Sequence, residues 1–559
     1  MRNKLFHISL CLISSIIFHG CKKNNQVTET PIVIPQALLN TSIQLNNLVV
    51  NSSANYDVNI ATKIKLAFNN KVDKATVPQA VTISLNGVEN VSINFSYENN
   101  DSCIVVVPST PLKHLSKYLV SVSTSLTSTQ KGKLNIPISI SFITSIDSTN
   151  KFPVISDNAL LDTIQKRTFK YFWDFAHPVS GLSRERNSSG EIVTIGGSGF
   201  GIMSLIVAVD RNFITRAQAL DRLKLIVDFL KNKAQKFHGA FPHWIHGTTG
   251  EVIPFSSKDN GADLVETSYL IAGLLSARMY FNESTVSETT LRADINSIWD
   301  GVEWNWFRQN NQDVLYWHWS PNFQWEMNLK IQGWNECLIT YILASSSNNN
   351  NIPASVYHNG FARSGAMVNN NSYYNIQLPL GPAFGGPLFY AQYSFLGIDP
   401  RGLSDQYTNY NNYVVNHTRI NYEYCKANPK QFFGYSENAW GLTASDIPNG
   451  YAASSPTNDL GVITPTAALS SFPYTPKESM QALSFFYYKL GDKIWSDYGF
   501  VDAYKLQDLW FASSTLAIDQ GPIIIMIENY RSGLIWSLLT SCPELKVGMK
   551  KLGFIAPYL

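Results

Sequence analysis

The chain changes its hydrophobic period once. Across residues 36–146 apolar and polar positions alternate in short runs. Val81, Ile83 and Leu85 are separated by Thr82 and Ser84, and Val91, Ile93 and Phe95 by Ser92 and Asn94. A period of two is that of a strand with one face buried. The run Cys103-Ile104-Val105-Val106-Val107, closed by Pro108, predicts a more deeply buried strand, and residues 118–122 and 138–143 predict two more. Short strands at this spacing predict a small β-sandwich. It carries no constellation of acids, so its expected role is that of a spacer.

Residues 147–151 form the expected boundary, and from residue 152 the period becomes helical. Leu160, Leu161, Ile164, Thr168, Tyr171 and Phe172 fall on one helix face. Thr215 with Gln218 predicts a capping box ahead of the stripe Leu220, Leu223, Val227 and Leu230. Thr475-Pro476-Lys477-Glu478 predicts another capped start, for a helix that Gly491 ends. Further helices are expected over 263–281, 288–308, 335–347, 404–425 and 521–541. About a dozen helices separated by long loops rich in aromatic, Gly, Asn and Asp residues suggest, for residues 152–559, an all-α barrel of paired helices.

The first residues look like an export leader. Arg2 and Lys4 precede a short apolar run over residues 5–18, too short to span a bilayer comfortably, and the segment ends in Phe18-His19-Gly20-Cys21. A small residue just before Cys resembles the lipobox of bacterial lipoproteins, although Phe18 and His19 depart from its usual Leu-Ala/Ser. The expectation is cleavage after residue 20, a lipid on Cys21, a polar tether over 21–35, and attachment to the bacterial envelope on the periplasmic side. There are 43 Lys and Arg against 41 Asp and Glu, and losing Arg2 and Lys4 brings the two into balance. With no polybasic segment, nucleic acid is not an expected partner. Cys103, Cys337, Cys425 and Cys542 are isolated, so buried free thiols are expected in place of a disulfide framework.

The loops carry the chemistry. Acids stand beside tryptophans in Lys258-Asp259-Asn260-Gly261-Ala262-Asp263, in Tyr316-Trp317-His318-Trp319 leading to Trp334-Asn335-Glu336, and in Trp440…Asp446. Sugar hydrolysis needs such a set. Rings hold the apolar face of the sugar, one carboxylic acid protonates the departing oxygen, and a carboxylate activates water or attacks carbon. Asp263 and Glu266 also fit a capping box, which would explain both acids by helix initiation alone. Glu336 sits among Trp334, Cys337 and Ile339, surroundings that raise a carboxyl pKa toward the range of a general acid. His243, His246 and His318 lack a metal-ligand spacing, so no metal is expected. Gly196-Gly197-Ser198-Gly199-Phe200-Gly201 is rejected as a dinucleotide fingerprint on its spacing and on the absence of a preceding strand. No cofactor is expected.

Taken together these stretches resemble a known family. Gly196–Gly201, Asp259 to Tyr269, Tyr316 to Pro321, Gly333 to Glu336, Tyr393 to Pro400, Trp440 to Asp446, Ile518 to Pro522 and Met526 to Arg531 are similar, in order, to the bacterial glycoamylase-like domain, including glycoside hydrolase family 144. Phe68 to Asp73, Pro108, Leu112, Tyr118 and Phe142 to Ser145 resemble bacterial Ig-like domains. The first resemblance implies an (α/α) six-hairpin barrel that cleaves β-1,2-glucan with inversion, and places Asp259, Asp263 and Glu336 in the site. Glu336 is expected as general acid, with Asp259 and Asp263 on the base side. His243, His318, Trp319, Trp334, Asn335, Asp446, Glu528 and Arg531 are the expected sugar contacts, and the chain is expected to act as a monomer. The alternatives are a hydrolase of another glucan linkage, of glucoamylase or β-glucosidase type, a polysaccharide lyase on the same kind of barrel, or a glycan-binding lipoprotein without activity.

Overall fold

The computed structural model describes residues 35–50 and 55–559. The expected leader, Cys21 and the first 14 residues of the tether lie outside the described residues. Two five-stranded sheets come first. One has the order β2 (Leu48–Val49), β1 (Asn40–Leu45), β4 (Ile64–Phe68), β8 (Cys103–Pro108), β7 (Ile93–Glu98). The other has the order β3 (Asn55–Val58), β10 (Ile138–Thr144), β9 (Lys117–Val122), β5 (Val81–Leu85), β6 (Glu89–Asn90). All pairs are antiparallel except β3 with β10. Alternation works as expected. Ile64, Leu66 and Phe68 of one sheet and Ile83, Val120 and Phe142 of the other bury their side chains in a shared core. Tyr118 lies opposite Phe142 in the β9–β10 register, and their rings stack at 5.6 Å.

The expected single strand through Val91 is two pieces. Glu89–Asn90 belongs to one sheet and Ile93–Glu98 to the other, and residues 91 and 92 make the crossing. Val91 N–H donates to Ile83 O on one side, and Ser92 O accepts from Ser109 N–H on the other. Strands β1, β3 and β4 were not anticipated. β1 and β3 mix Asn, Asp and Gln into their pattern, and pairing across the sheet overrides that composition.

The helical domain begins with α1 (Asp157–Trp173). Its helices are of two kinds. α2 (Ile195–Asp210) and α4 (Leu264–Tyr280) are buried on every side over most of their length; so are α6 (Leu338–Ser346), the short α8 (Pro465–Leu469) and α10 (Ala517–Arg531). α1, α3 (Arg216–Asn232), α5 (Val286–Asp300), α7 (Tyr410–Ala427) and α9 (Pro476–Tyr488) bury only part of their surface and show a polar side to solvent. The buried helices pack on one another, α2 against α4 and α10, α4 against α6, and α8 against α10. The glycines explain how closely they meet. A Cβ on Gly199 would fall 2.2 Å from the Tyr269 carbonyl oxygen, and one on Gly273 would fall 2.3 Å from that of Gly199. Two helix backbones therefore touch here, which only glycine permits.

Several local expectations need correction. Thr215 and Gln218 do form a reciprocal capping box. Thr475 does not cap with its side chain; its hydroxyl turns back to Ser471. Gly491 does not terminate α9 but opens a further single turn, and Phe152 lies over it where a side chain would stand. The pattern over 521–541 is two helices, α10 and α11 (Leu534–Ser541), broken at Gly533 with φ +72°. A short strand, Ile192–Thr194, does precede the glycine run, so the rejection of a dinucleotide fingerprint rests on the glycine spacing and on the contact with Tyr269. The four described cysteines are free and buried. No described helix is long and apolar enough to cross a membrane.

The two domains touch. Tyr56 of β3 stacks on Phe433 of the helical domain at 5.5 Å, and Leu115 and Ile146 lie against the same helical core.

Candidate active site

The site grows from the start of α4. Asp263 is its N-cap, and its Oδ1 accepts from the backbone N–H of Val265 at 3.0 Å and of Glu266 at 2.9 Å. This satisfies two of the donors that a helix start leaves free. Just before the helix, Ala262–Asp263 pairs with His318–Trp319, so Asp263 stands directly opposite His318. The pairing is close because Gly261 lets the Trp319 carbonyl approach: a Cβ there would fall 2.2 Å from it. Asp263 N–H donates to Phe241 O, which draws in the segment carrying His243.

These contacts place two carboxylates and two histidines together. His243 Nδ1 lies 3.0 Å from Asp263 Oδ2, and His318 Nε2 lies 3.5 Å from the same atom and 3.3 Å from Asp259 Oδ2. Burial works against the charge of Asp263, but hydrogen bonds from His243 and His318 hold it well below the usual carboxylate range. Burial and the Asp263 charge raise Asp259 to about 6, against the opposing pull of His318 and His243. Burial alone would depress His243, yet the charge of Glu266, the Asp263 hydrogen bond and the charge of Asp259 raise it to about 9. His243, Asp259 and Asp263 bring ligand atoms within 4.8 Å of one another and could converge on a cation. In this arrangement Asp263 already uses one oxygen on the helix start and the other on the histidines.

Glu266 breaks the expected capping box. Its carboxylate does not return to the Asp263 backbone but crosses to α2, where Oε2 accepts from Gly196 N–H at 2.8 Å. Gly196 is open to it, since a Cβ there would stand 2.5 Å from Oε2. Glu336 reaches the same space from the turn before α6. That turn bends at Gly333 with φ +77° and is fastened by Ser394, whose hydroxyl donates to the Glu336 carbonyl. Among the described residues the Glu336 carboxyl accepts only from its own backbone N–H. Burial, with the charges of Glu266 and Asp263, pushes it to about 7. Burial also raises Glu266, but His243 and the Gly196 N–H oppose the rise. The two glutamates thus differ: Glu266 has both His243 and the Gly196 N–H favouring its charge, whereas Glu336 has its own backbone N–H and no positive neighbour.

Both line a cavity of about 470 Å³, the size of a small-ligand cleft. Its walls include Trp244, Trp317, Tyr269, Tyr393 and Arg186, with His243 at one side. Asp259 and Asp263 do not line it; they stand behind His243. Of the expected sugar contacts, His243 reaches the cavity directly. His318 lies in the carboxylate–histidine cluster, and Asp446 grips Arg186 at 3.1 and 3.2 Å beside the cavity.

The others are committed elsewhere. Trp319 packs with His238 and Trp306. Trp334 is buried among Phe361, Tyr410 and Tyr413. Asn335 caps Cys337 N–H. Glu528 is fully buried on Arg211, with two contacts of 2.6 Å, and Arg531 holds Asp162 and Gln165. Glu528 and Arg531 belong to the last turn of α10, whereas Ile518 of its first turn lines the cavity. A helix of this length carries its last turn about 15–20 Å beyond its first. Sequence reasoning missed Glu266, Arg186, Tyr269, Trp317 and Tyr393 as lining residues. All but Arg186 lie inside the motifs that carried the family resemblance; Glu266 was masked by its fit to a capping box, and Arg186 gave no signal.

The glycoamylase family model matches residues 328–543, and the bacterial Ig-like domain model matches residues 40–144. The solved structure of an endo-β-1,2-glucanase from Chitinophaga pinensis, in complex with sophorotriose and glucose, is 50% identical. It superposes with a TM-score of 0.71 over 73% of this chain and 100% of that one. A β-1,2-glucanase structure from Parabacteroides distasonis, 35% identical with a TM-score of 0.70, aligns with 94% of this chain and 74% of its own. An exo β-1,2-glucooligosaccharide sophorohydrolase acting at the non-reducing end, also from Parabacteroides distasonis, is 42% identical over 427 residues. That match takes in 72% of this chain, which spans about 59% of the curated relative's length. An Ig-like β domain followed by a helical domain of glucanase type is thus the architecture. The chain belongs to the bacterial glycoamylase-like family, of the glycoside hydrolase family 144 type.

Proposed function

We propose that this protein hydrolyses β-1,2-linked glucan or its oligosaccharides, with inversion at the anomeric carbon. The observation that carries the reading is the pair of buried glutamates in one cavity with unlike surroundings. Inverting hydrolysis needs one carboxyl that holds a proton and one that has lost it; burial raises both glutamates, and of the two only Glu266 has a histidine charge and a neighbouring helix N–H that favour its anion. Glu336, with no cation beside it, is the general acid that protonates the departing glycosidic oxygen. Glu266, opposed by His243 and held by Gly196 N–H, is the base that takes a proton from water. Asp263 is a positioning residue, because it orients and charges His243 while its own oxygens are in use. Asp259 adds negative charge behind the same histidine. This moves the base from Asp259 and Asp263, the base-side candidates expected from the sequence, to Glu266. Trp244, Trp317, Tyr393 and His243 offer the flat faces and donors that a glucosyl unit requires.

The same reading takes the buried and half-buried helices as the inner and outer rings of an (α/α) six-hairpin barrel. It takes the N-terminal segment as a lipoprotein leader with a lipid on Cys21, facing the periplasm, and the chain as a monomer. The test is a screen of the purified protein on β-1,2-, β-1,3-, β-1,4- and α-1,4-glucans, with product sizing and anomeric NMR. Release of α-anomeric products from β-1,2-glucan alone is expected. Turnover of another linkage, or a β-anomeric first product, would overturn the reading. For the anchor, Cys21→Ser should move the protein from the membrane to the soluble fraction.

A further inference from the structure

A second pocket opens beside the glutamate cavity and shares Arg186 and Tyr451 with it. Its volume is about 570 Å³, and its walls include Asp446, Trp510, Phe511 and Ser514. The polar side is built. Arg186 donates to both oxygens of Asp446, Ser514 donates to Asp446 as well, and Arg186 Nε is held by Glu185 at 2.9 Å. Asp446 is fixed through its backbone too, its N–H donating to the buried Asp502 at 2.6 Å. An Arg fork locked against a carboxylate offers a donor and an acceptor side by side, the match for two neighbouring hydroxyls of a sugar.

The apolar side comes from two hairpins. Ala444–Ile447 pairs with Gly450–Ala453, which sets Tyr451 opposite Asp446 on one face, and Tyr451 is 49% exposed. Tyr504–Lys505 pairs with Trp510–Phe511 across a turn in which Leu509 takes φ +52°. A branched apolar residue in the left-handed region is strained, and here that turn delivers Trp510 to the pocket. Neither Trp510 nor Tyr451 stacks on another ring among the described residues. Two free aromatic faces flank a locked Arg–Asp pair, in a pocket that shares the Arg186 and Tyr451 wall with the cavity of the proposed acid and base.

We infer that this pocket is a further glucan-binding subsite, which takes the glucosyl units next to those in the catalytic cavity and makes turnover depend on chain length. Trp510 is its specificity-determining residue. The inference rests on the β-1,2-glucanase reading of the neighbouring cavity. The test uses the full chain carrying Glu336→Gln, with and without Trp510→Ala, and titrates linear β-1,2-glucooligosaccharides of increasing length by calorimetry. Loss of one aromatic contact should weaken binding by about two- to tenfold, only for chains long enough to enter both pockets, with the shortest ligands unchanged. Trp510→Phe should restore most of the loss. In the otherwise native enzyme, Trp510→Ala should raise KM for long chains and leave kcat on short ones. Equal weakening at every length, or no change at any length, overturns the subsite. If no β-1,2-linked ligand binds the Glu336→Gln protein with Trp510 intact while another linkage does, the β-1,2-glucanase reading fails and the subsite as stated fails with it.

Discussion

Two acid pairs lie within one site and are used differently by the fold. Asp259 and Asp263 sit on the histidine side, where imidazoles and a helix start take up their lone pairs. Glu266 and Glu336 face the cavity, one stabilised as an anion and the other left without a cation. The difference teaches that an acid's place in a motif does not fix its task. Asp263 and Glu266 are three residues apart on the same helix start, and only the direction in which each side chain finds its partners separates a structural carboxylate from one that can meet substrate.

The sharpest way to break the comparison is to remove charge from each pair in turn. Glu336→Gln keeps the shape and removes the proton donor, so turnover of glucan should fall by about 10²–10⁴ while ligand affinity and thermal stability stay near those of the parent. A substrate with a nitrophenolate leaving group should be much less affected, because that oxygen scarcely needs protonation. Glu266→Gln should be slow on both substrates. If Glu336→Gln is equally damaging on both, the acid assignment moves to another carboxyl.

Asp263→Asn should differ in kind. It removes a buried charge from beside His243 and weakens a helix cap, so a stability loss of about 3–5 kcal/mol is expected by denaturant titration, together with reduced activity. A variant that folds as stably as the parent and loses only rate would put Asp263 back among the catalytic groups.

The pH dependence sharpens the same contrast. A general acid with a pKa near 7 is lost on deprotonation, so kcat/KM should decline as pH rises through about 7, and Glu336→Gln should flatten that limb. Stability should fall in the same direction. The folded protein keeps a proton on Glu336 and on Asp502, both pushed to about 7, that the unfolded chain releases near pH 4. Fewer protons are then bound in the unfolded state, and stability drops as pH rises across that window. A melting temperature flat from pH 5 to pH 7.5 would contradict the assignment.

The smallest effect is expected far from both pairs. Tyr56→Ala removes the ring stacked on Phe433, and the Ig-like domain brings no acid to the cavity. Hydrolysis of short β-1,2-glucooligosaccharides should change by less than about twofold, with a stability cost of about 1 kcal/mol. A larger fall in rate would make the Ig-like domain part of the site's support.

Much of the fold was legible because it rests on local rules. Alternation marked Val81 to Leu85 and residues 138–143, and the Thr215 box and the stripe from Leu160 to Phe172 marked two helices. The sequence hides what depends on distant chains. The crossing at residues 91 and 92 looks like continuous alternation, and β1 and β3 look too polar to be strands. The site divides the same way. In the structure Asp259, Asp263, His243 and His318 stand within about one hydrogen-bond length of one another, and Glu336 lines the cavity that His243 also reaches. Trp334, Glu528 and Arg531 share the family's motifs, yet they serve the interior and the far end of α10. Arg186 left no trace because its role depends on Asp446, 260 residues away in the chain.

The glycine contact between α2 and α4 bears on how such a site could diversify. Where Gly199 and Gly273 meet, no side chain stands between the helices, so no rotamer can shift to absorb a change there. The separation between the Gly196 N–H and Glu266 behaves as a fixed length, and substitutions that retune it should be intolerable rather than merely costly. New preferences for linkage or chain length would have to come from parts of the wall that can change without moving that ruler, the hairpins at residues 444–453 and 504–511. Directed libraries aimed at altered specificity therefore belong on those two loops, with the helical frame left untouched.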